Sequence, residues 1–193
     1  MNTYQIGLEP QTVESAKAEA RPLLEAAQKQ YGMVPNMYAR MANAPDVLST
    51  YLFGYERFRK SSGFTPAEQE VILLTISYEN GCSYCMAAHS WIAHNVSKVL
   101  PDMIEAIRTG FPIRDPKLSA LSRFTALMVQ ERGNPTRENV QQFLDAGFEE
   151  NSILEIILAI AVKTLSNYSN HVFHTPVDEA FSEYEWERPS KVA

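Results

Sequence analysis

The amino-acid sequence predicts an all-α protein folded as a bundle of helices. Apolar residues recur at helical spacing over residues 13–31 and again over residues 118–129. Strand-like alternation of apolar and polar residues is absent from the chain. Proline and glycine break the sequence into segments of about ten to sixteen residues, a length typical of the helices of compact bundles.

Start and stop signals place individual helices along the chain. Thr65-Pro66-Ala67-Glu68 combines an N-cap, a first-turn proline and a capping-box glutamate. The apolar run 71–76 that follows could be a buried strand by composition, and these signals predict a helix instead. Asn80-Gly81 favours the left-handed cap that ends such a helix. Further starts are predicted at Asp115-Pro116 and Asn134-Pro135, and further stops at Gly110 and Gly133.

The chain of 193 residues, with 45% hydrophobic residues, can bury a proper core as a single domain over residues 1–193. It also contains a weak internal repeat. One constant offset aligns Glu155 with Glu70, Asn167 with Cys82, Asn170 with Cys85 and His174 with His89. We interpret this as duplication of a helix-turn-helix unit, with repeat halves at about residues 60–95 and 145–180. Its second copy lacks thiols and is expected to be structural, although His171, His174 and Asn170 could still face the first site or an oligomer interface.

Charge and hydropathy exclude some classes of partner. The formal net charge is −6 and basic residues are not clustered, which argues against nucleic acid and anionic membranes. No signal sequence and no uninterrupted apolar window of about 18 residues is evident. We therefore expect a cytoplasmic protein with no membrane partner. In that reducing compartment, a Cys-x-x-Cys is more often catalytic or metal-binding than a structural disulfide.

The two cysteines of the chain form the most informative motif, Cys82-Ser-Tyr84-Cys85, with His89 four residues later. On a helix, these three groups share one face. A thiolate at a helix N-terminus is a nucleophile, and the sulfenic acid that it forms with a peroxide can be resolved to a disulfide by the neighbouring thiol. His89 titrates near neutral pH and can move the protons.

Glu70 is the predicted partner of His89. A continuous helix would hold Glu70 about 18 Å from Cys82, too far for cooperation. The break at Asn80-Gly81 instead predicts a helical hairpin that returns His89 to the level of Glu70. Glu79, at the hinge, is the competing carboxylate.

These residues resemble the AhpD-like alkylhydroperoxidase family of the carboxymuconolactone decarboxylase superfamily, in its peroxidase-related branch. The family pattern is a glutamate twelve residues before a Cys-x-x-Cys, with a histidine four residues after the second cysteine. The segments 31–37 and 167–170 resemble other parts of that branch, so the resemblance spans about residues 25–180. One departure is Tyr84, which stands where the best-known members carry a histidine.

The resemblance implies an AhpD-like bundle with thiol-dependent hydroperoxidase or disulfide reductase activity. It assigns Cys85 as the peroxide-reacting sulfur, Cys82 as the resolving sulfur, and Glu70 with His89 as the proton relay. It also implies a hydroperoxide substrate, a dithiol or peroxiredoxin-type redox partner and a homo-oligomer. We expect no cofactor and no metal.

Other interpretations of the motif remain open. The alternative function is a non-peroxidatic helical protein of the same fold that senses redox state or binds zinc. Zinc at Cys82, Cys85 and His89 would need a fourth ligand, and no second Cys/His pair is evident. The cysteines could also be inert core residues, and Glu70 could be a first-turn charge that stabilises the helix dipole.

Overall fold

The computed structural model describes residues 3–189, which form nine α-helices and one short 3₁₀ helix, with no strand in that range. The predicted all-α fold is confirmed. The helices are α1 Arg21–Tyr31, α2 Asn36–Met41, α3 Pro45–Ser61, α4 Pro66–Asn80, α5 Ser83–Asn95, α6 Pro101–Thr109, α7 Pro116–Gln130, α8 Arg137–Asp145 and α9 Glu150–Phe173, followed by the 3₁₀ helix Glu179–Tyr184.

Most helix boundaries follow the local signals. Thr65 and Glu68 form the predicted capping box of α4, and Asp115 caps α7 through the backbone N–H of Leu118. Gly81 and Gly110 end α4 and α6 in the left-handed conformation, which glycine adopts without a steric penalty.

Two boundaries differ from the sequence prediction. The helix expected from residue 13 begins only at Arg21, after turns, because Pro22 is favourable in a first turn and unfavourable in a helix interior. Helix α8 begins at Arg137 rather than at Asn134-Pro135, since Thr136 and Asn139 form its capping box.

Helix α4 lies at the centre of the bundle. Every residue from Glu68 to Ser77 is buried, and the helix packs on α5, α6, α7 and α9. One apolar core surrounds it, and a second core joins α1, α2 and α3 to the start of α5 and to α9. Gly54 lets α3 approach α9 closely, because a Cβ there would lie 2.8 Å from Val162. Both cysteines belong to the second core.

The predicted helix-turn-helix in the second half of the chain does not form. Helix α9 runs without interruption from Glu150 to Phe173, so Asn167 and Asn170 continue the helix that carries Glu155. The repeat offset aligns Ser166 with Gly81, and serine in a helix interior offers no left-handed break of the kind that ends α4. The second half therefore supplies one long helix where the first half supplies a hairpin.

By length and composition, α9 is the one helix within residues 3–189 that could cross a membrane. It packs against α2, α3, α4 and α5, and a row of polar side chains is buried along it. Only 33% of its most apolar 18-residue window is buried, and Leu154, Ile157, Tyr168 and Val172 of the same helix are exposed.

Candidate active site

The dithiol lies at the start of α5, immediately after the turn at Gly81. Cys82 is the N-cap residue and Cys85 lies in the first turn, and both are buried free thiols. Unpaired backbone N–H groups at a helix start favour negative charge on a nearby sulfur. The hairpin predicted from Asn80-Gly81 thus forms and places both sulfurs beside α9.

The two sulfurs interact and differ in acidity. Burial alone would raise the pKa of the Cys85 thiol. The hydrogen bond from Cys82 and the positive charge of Lys163 outweigh it and hold that pKa well below its usual range. The pKa of Cys82 is raised far above its usual range by the hydrogen bond to Cys85, by burial and by the Cys85 charge. The pair therefore shares one proton, with Cys85 as the thiolate and Cys82 as the thiol.

Lys163 is the cation of this site. Its side chain is 1% exposed on α9, and its Nζ has no hydrogen-bond partner within residues 3–189. A buried ammonium is costly unless a counter-charge is near. The Cys85 thiolate supplies that charge, which explains how the lysine is tolerated in the core.

Two further residues of α9 contact the sulfurs. The Nδ2 atom of Asn170 lies 3.4 Å from the Sγ of Cys85 and 3.8 Å from the Sγ of Cys82. The Ser166 hydroxyl lies 3.9 Å from the Sγ of Cys85. Lys163, Ser166 and Asn170 occupy successive turns of one helix face. The second half of the chain therefore contributes to the dithiol environment, contrary to the expected purely structural role.

Glu70 reaches the site from α4. Its Oε2 lies 3.0 Å from the Nδ1 of His89, and its Oε1 accepts a hydrogen bond and ion pair from Arg59. Burial would raise the pKa of Glu70, but the hydrogen bond from His89 and the Arg59 charge lower it, so the buried group is a carboxylate. Glu70 is thus the carboxylate that the hairpin brings to His89.

The contact with Glu70 fixes the proton on one nitrogen of His89. An ionised carboxylate only accepts hydrogen bonds, so Nδ1 carries the proton and Nε2 keeps a free lone pair. Burial and the Lys163 charge lower the pKa of His89 despite the opposing effect of Glu70. His89 is therefore a neutral imidazole, available as a proton acceptor.

Glu79, the competing carboxylate, lies elsewhere. It is partly exposed near the end of α4 and accepts a hydrogen bond of 3.0 Å from the amide of Gln130 on α7. Glu79 therefore joins α4 to α7 near the surface, and the carboxylate that contacts His89 is Glu70.

A cavity of about 440 Å³ opens beside the dithiol. Cys85 and His89 both line it, so nucleophile and proton acceptor face one space. Most other lining side chains are apolar or aromatic, including Tyr31, Tyr38, Tyr51, Tyr55, Tyr84 and Trp91. A cavity of this kind suits an organic molecule with an apolar or aromatic body.

Tyr84, the departure from the family pattern, is held away from proton transfer. Its hydroxyl donates a hydrogen bond of 2.5 Å to Asp178, whose other carboxylate oxygen accepts the backbone N–H of Asn36. Burial and the Asp178 charge raise the pKa of Tyr84. The tyrosine therefore ties the segment after α9 to α5 and α2.

Residues 45–127 match the carboxymuconolactone decarboxylase family, a range that contains Glu70, Cys82, Cys85 and His89. Over this range the chain is therefore similar to the carboxymuconolactone decarboxylase family. No curated protein sequence is significantly similar to it.

Solved structures of the AhpD-like fold superpose on nearly the whole chain. The AhpD core of an uncharacterized peroxidase-related protein from Ralstonia eutropha JMP134 aligns with a TM-score of 0.79 and 21% identity, over 90% of this chain and 93% of that one. An uncharacterized peroxidase-related protein from Silicibacter sp. TM1040 aligns with a TM-score of 0.74 and 20% identity, over 94% of this chain and 97% of that one. A variant of the debrominase Bmp8 in complex with 2,3,4-tribromopyrrole aligns with a TM-score of 0.75 and 16% identity, over 95% of this chain and 97% of that one.

Within residues 3–189, this AhpD-like chain has no group of three or more His, Cys, Asp or Glu side chains arranged to hold a metal ion. The polar groups of α9 that contact the sulfurs are an amide and a hydroxyl, which are poor zinc ligands.

Three residues of the site were missed by sequence reasoning. Lys163 and Arg59 supply its positive charges and Asp178 anchors Tyr84, and all three are distant in sequence from the motif. Lys163 carried one available signal: it is a lone cation inside the apolar run 153–165, where a lysine is rarely buried without a partner.

Proposed function

We propose that this AhpD-like protein is a thiol-dependent alkylhydroperoxidase that cycles through a Cys82–Cys85 disulfide. The observation that carries the proposal is the arrangement at the cavity. A sulfur held as a thiolate and a neutral imidazole backed by a carboxylate face the same apolar space.

The residues assign each step. The Cys85 thiolate attacks the terminal oxygen of a hydroperoxide, and the O–O bond breaks to give a Cys85 sulfenic acid and an alkoxide that leaves as the alcohol after taking up a proton. Cys82 then loses its proton and attacks the Cys85 sulfur, forming the disulfide and releasing water. In total, two thiols and one hydroperoxide give one disulfide, one alcohol and one water.

His89 carries the protons in this scheme. Nε2 accepts a proton, and the imidazolium that forms is stabilised by the ion pair with Glu70. Arg59 keeps Glu70 ionised, so the carboxylate is ready as the counter-charge. Lys163 and Asn170 hold the charge on Cys85 before attack.

A dithiol or a peroxiredoxin-type partner would return the electrons by reducing the disulfide. A cytoplasmic homo-oligomer remains our expectation for the assembled protein. The apolar lining of the cavity favours organic hydroperoxides over hydrogen peroxide, because a bulky alkyl group is desolvated there.

A second candidate is reductive dehalogenation of an aromatic substrate. The cluster of tyrosines in the cavity favours a flat ring, and the debrominase of the same fold binds a brominated pyrrole. The Cys85 thiolate would take the halogen, the ring carbon would gain a proton, and Cys82 would displace halide to form the same disulfide.

One experiment tests both functions. Reduced protein is mixed with cumene hydroperoxide, hydrogen peroxide or a brominated pyrrole, and disulfide formation is followed alongside cumyl alcohol or bromide. We expect fastest oxidation by cumene hydroperoxide, and none in Cys85→Ser. Oxidation by the brominated pyrrole alone would replace the first function with the second.

A further inference from the structure

The two sulfurs of the dithiol open onto different cavities. Cys85 lines the cavity of about 440 Å³ described above, whereas Cys82 lines a second one of about 500 Å³. Tyr84 is the one residue that both linings share, so it lies between the two cavities. A disulfide formed at this site would therefore offer one sulfur to each cavity.

The second cavity has a different chemical character from the first. Its walls are Gly81 to Tyr84, the C-terminal end of α9, and the segment at Thr3 and Tyr4. Hydrogen bonds hold that segment on α9: the backbone N–H of Ile6 donates to the carbonyl of Val172 at 2.8 Å, and the Thr3 hydroxyl lies 3.2 Å from the Nε2 of His174.

Polar side chains line much of this second cavity. The Oδ1 of Asn170 and the Oγ1 of Thr175 are buried without a hydrogen-bond partner in the described part of the chain. Both residues line the cavity, together with His171 and His174. Because serine, threonine, asparagine and histidine side chains make up much of this lining, a small hydrophilic molecule fits this space better than an apolar one.

The difference in acidity between the two sulfurs also favours attack by an external thiolate on Cys82, which lines the second cavity. In thiol–disulfide exchange, the sulfur with the lower thiol pKa leaves faster. Cys85 is that sulfur, because Lys163 and Asn170 stabilise its thiolate. An external thiolate should therefore attack Cys82 and expel Cys85.

We propose that the cavity at Cys82 is the binding site of a small hydrophilic thiol that reduces the disulfide, an inference that rests on the dithiol cycle proposed above. The incoming thiolate forms a bond to the Cys82 sulfur, the Cys82–Cys85 bond breaks, and its electron pair remains on Cys85. A second thiolate attacks the mixed disulfide, giving the oxidised reductant and Cys82, which takes up a proton. Oxidant and reductant thus use opposite sides of one disulfide.

Separate measurement of the two half-reactions tests this site. Protein oxidised with diamide is mixed with dithiothreitol, and the return of free thiols gives the reduction rate. Reduced protein mixed with cumene hydroperoxide gives the oxidation rate. Diamide makes the reduction assay independent of whether a hydroperoxide is the substrate, so failure of the proposed function appears only in the second assay.

Matched variants place bulk in each cavity. Ser83→Phe narrows the second cavity at an exposed position, and His171→Trp does so from α9. We expect both to slow reduction by about tenfold or more and to slow oxidation far less. Ala88→Phe, in the first cavity, should do the reverse. Circular dichroism confirms that each variant is folded.

The opposite pattern overturns the inference. If Ala88→Phe slows both half-reactions while Ser83→Phe and His171→Trp slow neither, the thiol enters through the first cavity. A mixed disulfide trapped on Cys85 rather than on Cys82 would also contradict it.

Discussion

The Nδ1 of His89 lies 3.0 Å from the Oε2 of Glu70, although the two residues belong to different helices. The turn at Gly81 reverses the chain between them, and Arg59 of α3 holds the other oxygen of the carboxylate. His89 lines the same cavity as Cys85, so the contribution of each of these three residues can be tested by substitution.

Glu70→Gln and His89→Ala should each lower turnover by roughly 10²–10⁴, the usual contribution of a positioned acid or base. Gln keeps the size of Glu70 but loses the charge that stabilises the imidazolium. Glu79→Gln is the matched control, because Glu79 contacts Gln130 outside the site, and its turnover should stay near wild type. The rate of steady-state peroxide reduction is the measurement. A large loss of turnover in Glu79→Gln would contradict the assignment of Glu70 as the partner of His89.

The dithiol itself should be oxidised by one equivalent of peroxide. Free-thiol counting with an aromatic disulfide reagent in denaturant should fall from two thiols to none. The Cys82 thiol interacts directly with the Cys85 sulfur, so the two sulfurs lie close enough for a bridge to form with little movement. A count that remains at two after oxidation would end the redox hypothesis.

The two cysteines should respond differently to substitution. Cys85→Ser should abolish peroxide consumption, whereas Cys82→Ser should complete one turnover and leave a sulfenic acid on Cys85. Serine at position 82 keeps a donor toward the thiolate, so Cys85 should stay reactive. Mass spectrometry after dimedone trapping identifies the modified residue, and a sulfenic acid on Cys82 in the Cys85→Ser variant would reverse the assignment.

Lys163 should control the charge on Cys85. In Cys82→Ser, we expect the pKa of Cys85 to stay below its usual range, so alkylation by iodoacetamide should change little between pH 7 and pH 9, whereas an ordinary thiol of pKa about 8.5 gains about 25-fold there. Adding Lys163→Met removes the cation and raises the pKa of Cys85, so the rate should fall at neutral pH and recover as pH rises. Lys60→Met, at an exposed ion pair with Glu56, is the control and should leave the profile unchanged.

Asn167 and Asn170 should separate stability from reactivity. Asn167 accepts a hydrogen bond of 2.8 Å from Asn80 beside the hairpin turn, so Asn167→Ala should lower the free energy of unfolding by about 1–3 kcal/mol with little effect on the thiols. Asn170→Ala removes the donor shared by the two sulfurs and should also slow oxidation. Thermal melts beside oxidation rates distinguish the two; equal oxidation rates in both variants would return Asn170 to a purely structural role.

The sequence alone determined the local parts of this protein. The capping box at Thr65, the left-handed stop at Gly81 and the spacing of Cys82, Cys85 and His89 each depend on neighbours a few residues apart, so the α4–α5 hairpin and the position of Glu70 could be predicted. The repeat offset was misleading for the same reason: it matched residue types across α9 without a glycine to break that helix.

Only the tertiary structure decided what surrounds the sulfurs. The site includes Arg59 from α3 and Lys163 and Asn170 from α9. The periodicity of apolar residues predicts that a helix has a buried face, but it does not predict which helices pack together. That packing sets the charge on Cys85, because the energy of a buried thiolate depends on the few polar groups within contact distance. It also places each cysteine at a different cavity. Tyr84 lies between the two cavities, and its hydroxyl is held by a hydrogen bond to Asp178, which follows α9 in the chain.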